Sequence, residues 1–241
     1  MKKTFYLLIF FIFLSGIWLL KESIFENKSV SEIKMVESSA FSEVILIGNP
    51  NTEDVFLYLV FPSGEASNNF DEGLAHYVEH LAWLSAFGRD QNERVRHSNA
   101  WTNHFSTGYW HKTVDDDLHH ALRALMGVSN PLSVGDDFAL EERDIVLREY
   151  DYRVAERPLY SVFRDMDRAL YGDGALARSV IGEPEVIAYY SWDAAASLHK
   201  QSHSLSDATL LVYGDVSATR LESAVASLSV EDVHTALLHG A

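Results

Sequence analysis

The sequence predicts an α+β fold, a single domain in which a mixed, largely antiparallel sheet is packed by helices. Three observations carry that reading. Short runs of strand character occur at residues 42–47, 55–61, 101–113 and 208–213. Longer stretches with apolar residues at helical spacing lie between and after them. The two kinds are interspersed without the regular alternation of a doubly wound parallel sheet.

The elements follow in chain order. Lys2 and Lys3 precede an almost unbroken apolar run from Phe5 to Leu20, which Lys21 and Glu22 close. Its length falls between a signal-peptide core and a full membrane span of about 20 residues. The bulky Ile17-Trp18-Leu19-Leu20 offers no small-x-small cleavage pattern, so an uncleaved anchor is favoured over a removed signal peptide for residues 1–24. Either device exports the remainder, membrane-anchored on the periplasmic or extracellular side or, if cleaved, secreted. Residues 25–40 read as a polar linker, residues 41–230 as the domain and residues 231–241 as a tail.

Within the domain, strands at Ser42–Ile47 and Val55–Phe61 flank the turn-rich GNPNTED. A helix is expected from about Asp71 to Phe87. Trp101–Thr113, rich in aromatics and Thr, favours strand. Asp115-Asp116-Asp117 supplies the acidic first turn of a helix carrying Leu118, Leu122, Leu125 and Met126, ended by Pro131. Further helices are expected at Asp136 to about Glu156, Leu159–Tyr171, Trp192–Gln201 and Thr219–Leu228, with a buried strand at Ala208–Tyr213.

Composition narrows the function. With 19 Lys and Arg against 35 Asp and Glu, a phosphate backbone or an anionic lipid surface would be repelled, so nucleic acid is excluded as a partner. There is no Cys, so a metal must be held by His, Asp or Glu.

One constellation fits that requirement. In His76-Tyr77-Val78-Glu79-His80 the two histidines stand one helical turn apart on one face, a spacing that lets both imidazoles reach one metal. Glu79 sits close enough to act on a bound water without being forced to ligate. The order is the inverse of His-Glu-x-x-His, and either arrangement can serve metal-assisted hydrolysis. Flanking Leu74, Ala75, Leu81, Ala82 and Leu84 argue against a merely solvated face. Catalytic zinc usually takes three protein ligands. Glu142 and Glu149, two turns apart on the Asp136 helix, lie on one side of it. One would bind metal while the other orients a ligand, or both are surface acids of a charged helix.

GLAHYVEHLAWL, NAWTNHFSTGYW and LEERDIVLREYDYR, in that order, resemble the zinc-bearing N-terminal domain of the pitrilysin–insulinase–processing-peptidase family. VIGEPEVIAYYSWDAAASLHKQSHSLSDATLLVYGDV is similar to a later family segment, so the resemblance runs from about residue 42 to about 228. It implies one Zn²⁺ held by His76, His80 and Glu149, with Glu79 as catalytic base. It further implies Glu142 as the second acidic residue near the metal and Asn99 on a strand lining the substrate cleft. Departures exist: the stretch from His80 to Asn99 is short, Arg96-His97-Ser98 replaces paired glycines, and Phe105 stands where Asp is common.

Active members of the family join this domain to a second, similar one that supplies Arg and Tyr groups. The resemblance therefore implies a zinc endopeptidase acting on peptides or small proteins with a second domain or a homo- or heterodimeric partner. The alternative is a non-catalytic or half-site subunit that binds peptide or a partner chain. The His119-His120 pair reads as surface. Trp101, Tyr109 and Trp110 read as peptide contacts or as core.

Overall fold

A computed structural model describes residues 32–88, 95–157 and 159–228. The chain divides into two units, of which the first, Met1–Glu32, lies outside this description save for its last residue. The apolar run 5–20, the anchor or signal at 1–24 and the tail 231–241 therefore fall outside the described residues. Among those described, no helix is long and apolar enough to cross a membrane.

The second unit is built on six strands: β1 Ile33–Val36, β2 Glu43–Gly48, β3 Val55–Phe61, β4 Ser98–Thr102, β5 Thr107–Thr113 and β6 Thr209–Gly214. They lie in the order β1-β2-β6-β3-β5-β4. Only the β2–β6 pair is parallel, with Val44 opposite Leu210 and Leu46 opposite Val212. The other four pairings are antiparallel, which makes the sheet mixed and largely antiparallel as the sequence predicts. In β3 the period-2 side-chain rule is visible residue by residue: Val55, Leu57, Leu59 and Phe61 are buried, while the residues between them are partly exposed.

Among the described residues the helices are α1 Leu74–Phe87, α2 Leu118–Met126, α3 Asp136–Glu156, α4 Tyr160–Tyr171, α5 Pro184–Ile187, α6 Trp192–Ser202 and α7 Ala218–Ala226. Two apolar cores result. One joins the buried sheet face to α2 and α7 through Leu57, Leu59, Leu122, Leu125, Leu210 and Leu221. The other lies among helices, through Leu74, Val78, Leu81, Val146, Ile187 and Leu198. Helix α1 contributes Ala82 to the first core and Leu74, Val78 and Leu81 to the second. It is buried on most of its circumference, which is why polar side chains on it are desolvated.

Three sequence expectations need correction. Residues 33–36, read as linker, form edge strand β1 antiparallel to β2, with Ile33 opposite Ile47; Ile33 and Met35 remain exposed, so no buried alternation announces the strand. Residues 101–113, read as one strand, form the hairpin β4–β5 with the two strands antiparallel. Its turn is made by Asn103, whose Oδ1 accepts from the N–H groups of Phe105 (2.7 Å) and Ser106 (2.9 Å), a side-chain turn without the Gly that flags most hairpins. The helix expected from Asp71 begins at Leu74, after Gly73.

Gly73 is required there. Its φ is +82°, and a Cβ would come within 2.3 Å of the Gly182 amide nitrogen. The close approach of two glycine backbones seats the start of α1 against the segment before α5. Beside it, Tyr190 donates its hydroxyl to the Glu72 carbonyl at 2.6 Å.

Candidate metal centre

Helix α1 places His76, Glu79 and His80, and α3 crosses to bring Glu142 and Glu149 against them. The crossing is fixed by Tyr77, which donates its hydroxyl to the Ala139 carbonyl at 2.5 Å, and by Val146 in the shared core. One ligand atom each from His76, His80 and Glu149 lies within 4.8 Å of the others. His76 Nε2 stands 3.5 Å from Glu149 Oε2, and His80 Nε2 stands 3.6 Å from the same oxygen. These separations are long for hydrogen bonds. They match the edge, about 3.4 Å, of a tetrahedron around an ion bound at about 2.1 Å. The donor set of two imidazoles and a carboxylate therefore fits zinc in geometry and in chemistry.

The surroundings support that set. His80 Nδ1 lies 3.0 Å from Glu142 Oε2, so the ring faces Glu149 with Nε2 while Glu142 holds its other nitrogen. The two imidazoles meet edge to face, 4.7 Å between centroids. Arg153, one turn after Glu149, pairs with Glu149 Oε1 and leaves Oε2 toward the histidines. Glu79 is buried and accepts a hydrogen bond at Oε2 from the Thr102 hydroxyl on β4, 2.9 Å away.

Charges at the site, considering protein groups alone, are strongly perturbed. Burial pushes His76 down to about 3, so it is neutral and its nitrogen lone pair is available. Burial opposes charge on His80 too, but the carboxylates of Glu142 and Glu149 outweigh it and raise the ring to about 10. Glu149 is penalised by burial yet is held down to about 2 by both histidines and Arg153. Burial raises Glu79 to about 7.

The sequence-derived residues fall as follows. His76, His80 and Glu149 converge; Glu142 touches His80; Glu79 lies beside them. Asn99 is exposed on β4, which among the described strands pairs with β5. Its side chain accepts from the Ala100 N–H at 2.9 Å. Sequence reasoning missed Thr102 and Arg153. The Arg153 signal was available, four residues after Glu149 on a helix; Thr102 lies on another element, and spacing could not couple it to Glu79. Tyr109 is core, its hydroxyl 2.8 Å from His203 Nε2. Trp101 and Trp110 are half-buried and pack against Tyr58 and Phe56.

Known proteins resemble this chain. The family description Insulinase (Peptidase family M16) matches residues 43–184. Subunit beta of the mitochondrial-processing peptidase of Saccharomyces cerevisiae is 30% identical over 142 residues, 55% of this chain and 30% of that protein. An uncharacterized zinc protease of Rickettsia felis is 20% identical over 211 residues, 84% of this chain and 50% of that protein. The crystal structure of a protease from Helicobacter pylori superposes with a TM-score of 0.72 at 20% identity, covering 82% of this chain and 49% of that one. The chain thus spans half or less of the length of each of these three proteins.

Proposed function

The chain belongs to the insulinase family of peptidases, M16, and from that premise we propose that it is the zinc-bearing half of a metalloendopeptidase acting on peptides or small proteins. The observation that carries the reading is the convergence of His76, His80 and Glu149 within 4.8 Å beside the buried Glu79. We assign the three as zinc ligands and Glu79 as general base. Zinc bound there would supply Lewis acidity, polarising the scissile carbonyl and bringing a water toward ionisation near neutral pH.

The chain's own residues do the rest. Glu79 takes a proton from the attacking water at Oε1, the oxygen Thr102 does not engage, and returns it to the leaving amine. Its raised affinity for a proton, near neutrality, suits both halves of that task. Glu142 fixes the tautomer and orientation of His80. The free edge of β4 at Asn99 accepts the substrate as an added strand, a mode that tolerates varied sequence because main-chain bonds carry it. We assign residues 1–24 to export, on the strength of Lys2, Lys3 and the apolar run alone.

A second reading, a non-catalytic or half-site subunit, is favoured by one likeness: the structure described as an inactive domain of peptidase M16 from Pseudomonas fluorescens superposes with a TM-score of 0.70 at 14% identity, covering 81% of this chain. A partner domain would then supply the remaining groups of the site.

Two arms of one experiment separate the readings. Elemental analysis of the purified full chain should find about one zinc per chain, lost in Glu149→Ala and kept in Glu79→Gln. Peptide hydrolysis should be abolished in Glu79→Gln. A zinc-loaded wild type without hydrolytic activity supports the half-site reading; an active Glu79→Gln would sink the proposed mechanism.

A further inference from the structure

Helix α4 is inside out. Leu159, Val162, Phe163, Met166 and Leu170 recur at helical spacing within an arc of about 100°. An amphipathic helix normally turns such a stripe to the core. Here the five are exposed by 58, 49, 56, 48 and 68%. The buried side chain of α4 is a charged one, Arg164. It donates to the Ala177 carbonyl at 3.0 Å and pairs with Glu72 and Glu183. The polar face is thus committed inward by specific partners, and the apolar face is left to solvent. The stripe amounts to on the order of 600 Å² of apolar surface, at the top of the range for the largest patch on a monomer.

The spacing also says what fits it. Leu159, at the N-cap, and Phe163, Met166 and Leu170 are symmetric about a point between Arg164 and Asp165. If a second α4 runs antiparallel across the first, Leu159 falls opposite Leu170 and Phe163 opposite Met166, in both directions at once. A surface complementary to itself is the requirement of a two-fold interface. Two stripes would bury about 1,200 Å², the lower edge of what a specific, stable interface needs. The stripe lies on a different helix from all three converging ligand residues, so this interface is distinct from the metal centre.

We propose that the α4 stripe is a homodimer interface, occupied by the α4 of a second copy of this chain in antiparallel register. The absence of Cys makes the test clean. The full chain carrying both Leu159→Cys and Leu170→Cys is expressed in bacteria, oxidised in cell suspension and run on a non-reducing gel. Both positions are exposed, so neither change disturbs folding.

Within one helix the two sulfurs are about 16 Å apart and cannot join. Across the proposed interface they meet, and peptide mapping should find a disulfide between residues 159 and 170 of different copies. The double variant should give at least fivefold more covalent dimer than either single variant, whose like positions stand about 16 Å apart across the two-fold. Adding Phe163→Asp to the double variant should return it to monomer. Absence of dimer in the double variant, equal dimer in a single one, dimer that survives Phe163→Asp, or crosslinks mainly to host proteins would each overturn the proposal.

Discussion

Thr102 donates its hydroxyl to the buried carboxylate of Glu79 on α1. A hydrogen bond to a charged group contributes roughly 1.5–3 kcal/mol, more than a neutral one. Thr102→Val keeps the shape and removes the donor, so Glu79 loses the contact that orients it from β4. Hydrolysis should fall about tenfold or more while zinc content stays at the wild-type level; a variant that loses zinc instead would place Thr102 among the groups that hold the metal. At this scale the sequence was most legible where chemistry is local. His76, Glu79 and His80 lie within one turn and a half of one helix, so their spacing alone put them on one face. Glu142 and Glu149 were legible as a pair on one side of α3, but that Glu149 stands between both histidines while Glu142 reaches His80 follows from how α3 crosses α1. The Asp136 helix carries many acids, and nothing in its spacing singles out these two. Thr102 was illegible because β4 and α1 meet only in three dimensions.

Between elements, the decisive joint is the entry to α1. Gly73 and Gly88 bracket the helix with left-handed φ values of +82° and +77°, yet their surroundings differ. A Cβ at Gly73 would collide with the Gly182 backbone, whereas a Cβ at Gly88 meets nothing among the described residues within 4 Å. Strain from the backbone alone costs about 1 kcal/mol or somewhat more. Gly88→Ala should therefore lower the unfolding free energy by about 1 kcal/mol, and Gly73→Ala by at least about 3 kcal/mol because backbone must also move. Chemical denaturation of both variants checks this, and equal losses would mean that the Gly73–Gly182 approach is not what seats the helix. The elements themselves were readable: the runs chosen for β3 and α3 match the observed bounds. What periodicity could not supply was β1, whose Ile33 and Met35 face solvent, the Asn103 turn that divides β4 from β5, and the orientation of α4. A helix with a clear apolar stripe is read as burying it; the ion pairs of Arg164 with Glu72 and Glu183 reverse that choice, and they join residues far apart in the chain.

For the whole molecule, buried titratable groups set how stability responds to pH, and away from the metal centre two sets act with opposite sign. His199 and His203 are buried, stacked at 4.5 Å, and both lowered below the usual imidazole range by burial. Their folded forms prefer to be neutral, so the unfolded chain binds protons more readily below about 6.5. Their contribution is fully present above that value and is lost as the pH falls. Glu65 runs the other way. Its side chain is fully buried, and burial raises it to about 7 despite Arg178, whose Nε donates to Oε1 at 2.7 Å. Between the unfolded value of 4.5 and the folded value of about 7, the folded state holds the proton, so the Glu65 contribution is complete below 4.5 and is lost as the pH rises through 7. The two slopes oppose each other across pH 4.5–6.5 and mask one another in the intact protein. Glu65→Gln removes only the Glu65 contribution, because the amide stays neutral and keeps its oxygen for Arg178. Unfolding free energies measured from pH 4.5 to 8 should then show wild type losing stability relative to Glu65→Gln as the pH rises, with most of the difference developing between 5 and 7. A difference that is flat with pH, or that grows in the opposite direction, would mean that Glu65 is ionised throughout and that its pairing with Arg178, rather than its burial, governs its charge.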